Sequence, residues 1–301
     1  GKMPVPLRYY AAHTGRWGGD DKLNLQNLPR KSLLKKAIQA PKGFVLVDAD
    51  SSQIEARTVA WLSGQNDLVK AFDERQDVYK IMASSIYGKV EEEITADERF
   101  VGKTTILGAG YGMGSSKFSL QLKTFGVEID DAEASRIIQV YRDTYKQIPA
   151  LWKEANRSLE ALCNKQTARV GRQSQALSLT SSGFLLPSGL YLNYPDLKRG
   201  SEDEWSYASR RGRIKIYGGK IVENLCQAIA RCVIGEQMLR ISKRYKVALT
   251  VHDAVMAVVK EEERDEAIKY VAECMSWRPT WAQALPLACE IGRSEEHTSE
   301  L

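Results

Sequence analysis

The run KVALTVHDAVMAVVKEEE, residues 246–263, constrains the fold more than any other stretch of the chain. Val247–Val251 and Val255–Val259 are two apolar segments of strand length, and His252 and Asp253 interrupt them. An unpaired charge in the middle of a buried strand is costly. The pair therefore predicts a tight turn, with the two segments folding back as a hairpin and Asp253 at a strand end. A second buried strand is expected in GFVLVDAD, residues 43–50, and it too ends in a carboxylate, Asp50. Carboxylates at the ends of neighbouring strands in one sheet can point to the same side. Hard divalent cations such as Mg²⁺ take carboxylate oxygens together with substrate phosphates. Two such ions about 3.5–4 Å apart clamp the attacking and leaving oxygens of a phosphoryl displacement. The residues alone leave a second reading open, in which both aspartates are ordinary strand-end or turn residues.

The stretch ERFVGKTTILGAGYGMG, residues 98–114, carries the next signal. It contains the GK[ST] of a phosphate-binding loop, but that pattern needs a glycine at position 97, where the chain has Asp97. Arg99, Lys103, Leu107 and Tyr111 recur at four-residue steps, which predicts one face of a helix. Two cations, an apolar residue and an aromatic in line suit a nucleoside triphosphate, with the phosphates at one end and a base stacked at the other. The alternative is an amphipathic helix with a solvated basic edge and a glycine-rich end.

Strand patterns cluster around residues 45 and 250, and mostly helix is expected between them. Helices are predicted over 51–64, 66–88, 95–110, 130–165 with a break at Pro149, 221–245 and 261–275. A turn-rich strand pair is read at 182–195, a strand and turn at 214–220, and a last strand at 285–292. The expected fold class is α+β: a palm-like antiparallel sheet with helices, interrupted by a helical insertion. With 43 % hydrophobic and 27 % charged residues the balance is that of a soluble globular chain, with no apolar run of membrane-spanning length. Five cysteines without a CxxC pair point to a reducing compartment rather than a zinc site or disulfide framework. The last nine residues, RSEEHTSEL, read as the in-frame translation of a sequencing adapter. They are expected to be an artefact beyond a coding sequence cut near Gly292. They hold one Arg and three Glu, so the net charge of +5 becomes +7 without them; on charge alone that is mild surface basicity first, with an anionic partner such as nucleic acid as the sharper alternative.

Five stretches in one order resemble the motifs of family A DNA polymerases, the DNA polymerase I class. Asp50-Ser-Ser-Gln-Ile-Glu55-Ala-Arg57 is similar to motif A, DYSQIELR. Arg99, Lys103, Leu107, Gly108, Tyr111 and Gly112 follow motif B, RxxxKxxxFGxxYG, and Val251-His252-Asp253-Ala254 follows motif C, VHDE. Upstream, TGRWGGDDKLNLQNLPR is similar to TGRxSSxxPNLQNIP, and YGGKIVENLCQAIAR resembles the glutamine-bearing helix of bacteriophage-type members. The resemblance runs from about residue 7 to residue 292.

The resemblance implies a polymerase-domain fragment with thumb and exonuclease domains largely absent. Residues 1–40 would be a thumb–palm junction that contacts DNA, 41–65 and 181–292 the palm, 66–180 the fingers, and 293–301 the artefact. Asp50 and Asp253 would hold two Mg²⁺ ions. Arg99 and Lys103 would contact the incoming dNTP, with Lys103 donating a proton to the departing pyrophosphate. Glu55 would reject a ribose 2′-hydroxyl, Tyr111 would stack near the templating position and close against Glu55, and Leu107 would lie beside the nucleotide. Tyr79 stands where many members have a phosphate-binding His. Arg16 would reach the minor groove at the primer end, and Asn24, Gln26, Asn27 and Gln227 would contact the duplex of a primer-template DNA. His252 would brace the primer terminus or the catalytic turn. The expected protein is a monomer in the cytoplasm, of a bacterial host cell if it is viral, with any processivity factor unidentified. The chain departs from the family pattern at Ser51, Leu107, Ala254 and Glu223. The rival readings are a single-subunit RNA polymerase, a two-metal nuclease and a nucleic-acid binding module without turnover.

Overall fold

The computed structural model describes residues 3–22, 24–28, 37–173, 175–201, 203–210 and 212–293. The adapter-like tail lies outside the described residues from position 294 onward. In chain order the elements begin with β1 (Leu7–Arg8), β2 (Gly18–Gly19), β3 (Phe44–Ser51), α1 (Ile54–Ser63), α2 (Asn66–Asp73), α3 (Val78–Tyr87), α4 (Ala96–Ala109) and α5 (Ser115–Thr124). Helices α6 (Asp131–Thr144) and α7 (Gln147–Cys163) follow, then β4 (Ser178–Thr180), β5 (Gly183–Leu185), β6 (Tyr191–Leu192), β7 (Lys198–Arg199), β8 (Trp205–Ser209) and β9 (Gly212–Ile216). The chain ends with α8 (Gly218–Ile241), β10 (Lys246–Val251), β11 (Ala254–Lys260), α9 (Arg264–Ser276) and β12 (Cys289–Arg293). The α+β class expected from the sequence is the class observed.

Two units divide the chain. The first comprises Gly1–Ile54, Gln227–Gln283 and Leu287–Leu301. Its centre is a four-stranded antiparallel sheet in the order β10-β11-β3-β12. The hairpin of β10 and β11 closes through His252 and Asp253, with Val251 paired to Ala254. Strand alternation makes the two faces unlike. Val47 and Ala49 of β3 are buried with Val255, Ala257 and Val259 of β11. Helix α9 packs against β3, β11 and β12 and contributes buried Ala267, Val271, Cys274 and Met275. The opposite face carries Asp48 and Asp50.

The second unit comprises Glu55–Cys226 and Ala284–Pro286. It is built on helices α1 to α7, with Trp61, Phe118, Ile137 and Tyr141 fully buried in its core. Two small antiparallel sheets, β4-β5-β6 and β7-β8-β9, complete it. The predicted helix over 66–88 is two helices. Arg75 turns into the left-handed region at φ 58°, and Asp77 then caps α3 by accepting from the Tyr79 and Lys80 amides. Pro149 does not break the 130–165 region. It lies in the first turn of α7, where its missing N–H has no helical partner to lose, and the break falls at Tyr145. Helix α5, directly after Gly114, was hidden by the glycine-rich stretch before it.

Candidate active site

In the first unit, β3 delivers carboxylates to the open face of the sheet. Register sets Ala254 opposite Asp50 and Met256 opposite Asp48 on one side, and Glu290 of β12 opposite Asp50 on the other. Asp48, Asp50 and Glu290 therefore share a face. The Ser51 amide donates to the Asp253 carbonyl at 3.2 Å, which brings the hairpin turn to the end of β3. Asp50 opens to solvent at its outer edge, while protein crowds the rest of it. That burial, then the charges of Asp253, Asp48 and Glu290, raise its pKa to about 6 against the opposing Ser51 N–H. Burial also raises the Asp253 carboxyl above its ordinary range, although Arg16 and His252 act in the other direction.

The Arg16 guanidinium donates to both Asp253 oxygens, at 3.3 and 3.5 Å. Gln26 holds the hairpin turn by both ends of its amide. Its Nε2 donates to the Thr250 carbonyl, and its Oε1 accepts from the His252 amide at 2.8 Å. That clamp fixes His252 at φ 52°, an unfavourable conformation for a residue with a Cβ. The placement corrects the expectation that Gln26 faces the duplex: its side chain is buried and spent on the turn. Asn24 likewise works locally, its Oδ1 accepting from the Gln26 amide at 3.1 Å to cap the Leu25–Asn27 turn. Asn27 and His252 are exposed, and Gln227 is half-buried on α8.

In the second unit, α4 begins as the sequence predicts, with Thr95 and Glu98 forming a reciprocal capping box. Lys103 and Leu107 are exposed, while Val101, Gly102, Thr104, Thr105 and Ile106 are buried. Gly102 explains the GK[ST] decoy: a Cβ there would lie 2.2 Å from the Tyr79 carbonyl oxygen. Its absence lets α3 and α4 approach closely. The approach brings Tyr79 under both cations, with the Arg99 guanidinium 5.2 Å and the Lys103 ammonium 6.0 Å from its ring centre. Arg99 also donates to Asp77 at 2.7 Å. Burial alone would raise the Asp77 carboxyl, but the bonds from Arg99 and from the Lys80 and Tyr79 amides hold it below its ordinary value.

Tyr111 needs correction. Helix α4 ends at Ala109, so the four-residue step places Tyr111 past the helix, in a turn held where the Trp152 indole donates to the Gly110 carbonyl at 2.8 Å. Its hydroxyl is buried, and that burial, with the nearby Cys226 thiol and the Glu55 and Glu223 carboxylates, pushes its pKa well up. Glu55 and Tyr111 thus lie within electrostatic reach of each other. Asp48, Asp77 and Glu290 were not singled out from sequence. Asp77 carried a legible signal, an Asp directly before an apolar helical run. Glu290 carried none without the strand register.

The donor set on the sheet fits a hard divalent cation. Carboxylates of β3, β12 and the hairpin turn outnumber the one guanidinium bonded to Asp253. Among the described residues no group of three or more His, Cys, Asp or Glu side chains is placed to hold a metal ion. Two carboxylates that leave positions for water and phosphate are how Mg²⁺ is commonly held.

Comparison with known proteins gives the family. The sequence profile of DNA polymerase family A matches residues 7–187. The chain belongs to that family. It is 30 % identical to the DNA polymerase of Bacillus phage SP02 over 94 % of this chain and 51 % of that protein. It is 28 % identical to the thermostable DNA polymerase I of Thermus filiformis over 97 % of this chain and 32 % of that protein. The chain thus spans about half the length of the phage relative and about a third of the thermophile one. The POL domain of Pol1 from M. smegmatis, solved in complex with DNA primer-template and dNTP, shares the fold with a TM-score of 0.67. That likeness has 21 % identity and covers 98 % of this chain and 48 % of that one. Among the described residues no helix is long and apolar enough to cross a membrane.

Proposed function

We propose that the chain carries template-directed DNA polymerase activity, adding dNMP from dNTP to a primer 3′-hydroxyl with release of pyrophosphate. The observation that carries this reading is the meeting of Asp50 and the Asp253 turn at the strand ends of one open sheet face. In this reading 41–65 and 181–292 form the palm and 66–180 the fingers, with 1–40 leading into the palm. Asp50 and Asp253 would hold two Mg²⁺ ions, which when bound offset charge on the attacking hydroxyl and the phosphates. Gln26 keeps Asp253 at its station by fixing the turn. Arg99 and Lys103 receive the triphosphate, and the Lys103 ammonium gives a proton to the departing pyrophosphate. Tyr79 and Asp77 orient those two cations. Glu55 rejects a 2′-hydroxyl and so favours dNTP over rNTP.

The test is primer extension with Mg²⁺ and dNTPs, beside Asp253→Asn. Loss of a cation-binding carboxylate removes several kcal/mol of transition-state stabilisation, roughly a thousandfold in rate. Extension that survives the substitution, or incorporation of rNTP as readily as dNTP, contradicts the reading. Shortening of the primer without dNTPs would point to a nuclease instead.

A further inference from the structure

We propose that Arg231 is a further primer-binding residue, a guanidinium held ready for a backbone phosphate of the primer strand beside Asp253. The proposal rests on the polymerase reading. Arg231 lies on α8 within the first unit and lines a pocket with Arg16, Trp17, Ile234, Met238 and Asp253. Its guanidinium carbon sits 4.6 Å from the Trp17 ring centre and 5.7 Å from that of Tyr9. Stacking on an aromatic face holds a guanidinium in place and leaves its edge N–H groups for an acceptor. Arg16, in the same pocket, already bonds Asp253. Among the described residues no carboxylate lies within ion-pair distance of Arg231, and its buried Nε has no hydrogen-bond partner. A half-buried guanidinium whose Nε is shielded and unpartnered, with no ion pair among the described residues and in one pocket with Asp253, is placed to take a phosphate.

The pose depends on Gly235. A Cβ there would lie 2.5 Å from the Arg231 Nη1. One helical turn on, the missing side chain lets the guanidinium lie back along α8 toward Trp17. The atom displaced by a Cβ would be the far end of a flexible side chain, so Gly235→Ala moves the charge without disturbing the core.

The experiment measures primer-template affinity by fluorescence anisotropy across a salt series, for the whole chain and for Arg231→Gln and Gly235→Ala. Arg231→Gln should weaken binding about tenfold, as expected for a charge-assisted bond, and flatten the slope of log K against log salt by about 0.9. Gly235→Ala should weaken binding while the melting temperature holds or rises, because Ala is the better helix former. That pairing also covers the case in which Arg231→Gln fails to fold. Unchanged affinity and slope in a folded variant overturn the proposal. Weakened binding with an unchanged slope also overturns it, since that is the signature of a groove acceptor rather than a phosphate. Parallel extension by the unsubstituted chain separates the two readings: if it extends primer and the variants bind as it does, only the Arg231 assignment falls.

Discussion

Asp50→Asn should stabilise the free protein while removing its response to Mg²⁺. The carboxyl of Asp50 is raised from 3.8 to about 6 by burial and by Asp253, Asp48 and Glu290. At about 1.4 kcal/mol per pKa unit, full transmission of that shift would be roughly 3 kcal/mol of destabilisation. The outer edge of Asp50 is open to solvent, and screening of exposed charges reduces the figure to about 1 kcal/mol. For a domain somewhat smaller than this chain that is roughly 2–4 °C in melting temperature. The folded pKa lies above the unfolded one, so the folded state binds the extra proton between about pH 4 and pH 6. Stability from this group therefore falls as pH rises through that window, and the penalty is complete above it. Thermal unfolding in chelator should show Asp50→Asn more stable than the parent near pH 7.5 and equal to it near pH 4. Added Mg²⁺ should raise the parent's melting temperature by mass action and leave the variant nearly unmoved. A variant less stable than the parent at neutral pH in chelator, or one that gains equally from Mg²⁺, refutes the argument that these carboxylates are gathered for a cation.

Asp77→Ala should cost about 1 kcal/mol through the lost cap of α3 and release Arg99, read as a lower melting temperature and a higher KM for dNTP. The Asp77 carboxyl is held below its ordinary value. Its stabilising contribution is thus complete above the ordinary carboxylate range and disappears as pH falls through the lowered value, and Asp77→Ala should lose its penalty there. Gly102→Ala should destabilise by about 1–3 kcal/mol as α4 is forced from the Tyr79 carbonyl, and chemical denaturation with unchanged stability would contradict that packing. Gln26→Ala orphans the Thr250 carbonyl and the His252 amide. It should cost about 1–3 kcal/mol and lower kcat more than it raises KM, because the turn carrying Asp253 loosens.

Much of the sheet was legible because its physics is local. Short apolar, β-branched-rich runs of strand length marked β3, β10 and β11, and a charged pair that could not be buried mid-strand marked the turn between β10 and β11. Thr95, opening the run TADE as a helix-capping residue, marked the start of α4. What stayed hidden depends on contacts between residues distant in sequence. Glu290 faces Asp50 only through the register of β12 on β3. Tyr79 meets Arg99 and Lys103 only because Gly102 admits close approach of two helices. Tyr111 was misplaced by extending a helical period past Ala109 into glycines that end it. Gln26 resembled a duplex-reading residue in a motif, and its burial against the hairpin was not readable from that motif.

The two faces of the palm sheet also explain why a charged pair survives in so apolar a run. Helix α9 covers one face with Val47, Ala49, Val255, Ala257 and Val259 buried beneath it. That face contributes the hydrophobic stability, and alternation sends every second side chain of β3 away from it. Carboxylates on the far face weaken the sheet through mutual repulsion, and His252 adds a left-handed backbone at φ 52°. Neither feature serves the core. Both place Asp253 at the end of β3, where Gln26 and Arg16 hold the turn and its charge. Strain and repulsion gathered at one strand end, on a sheet stabilised from the other side, mark that end as a candidate functional site rather than part of the core.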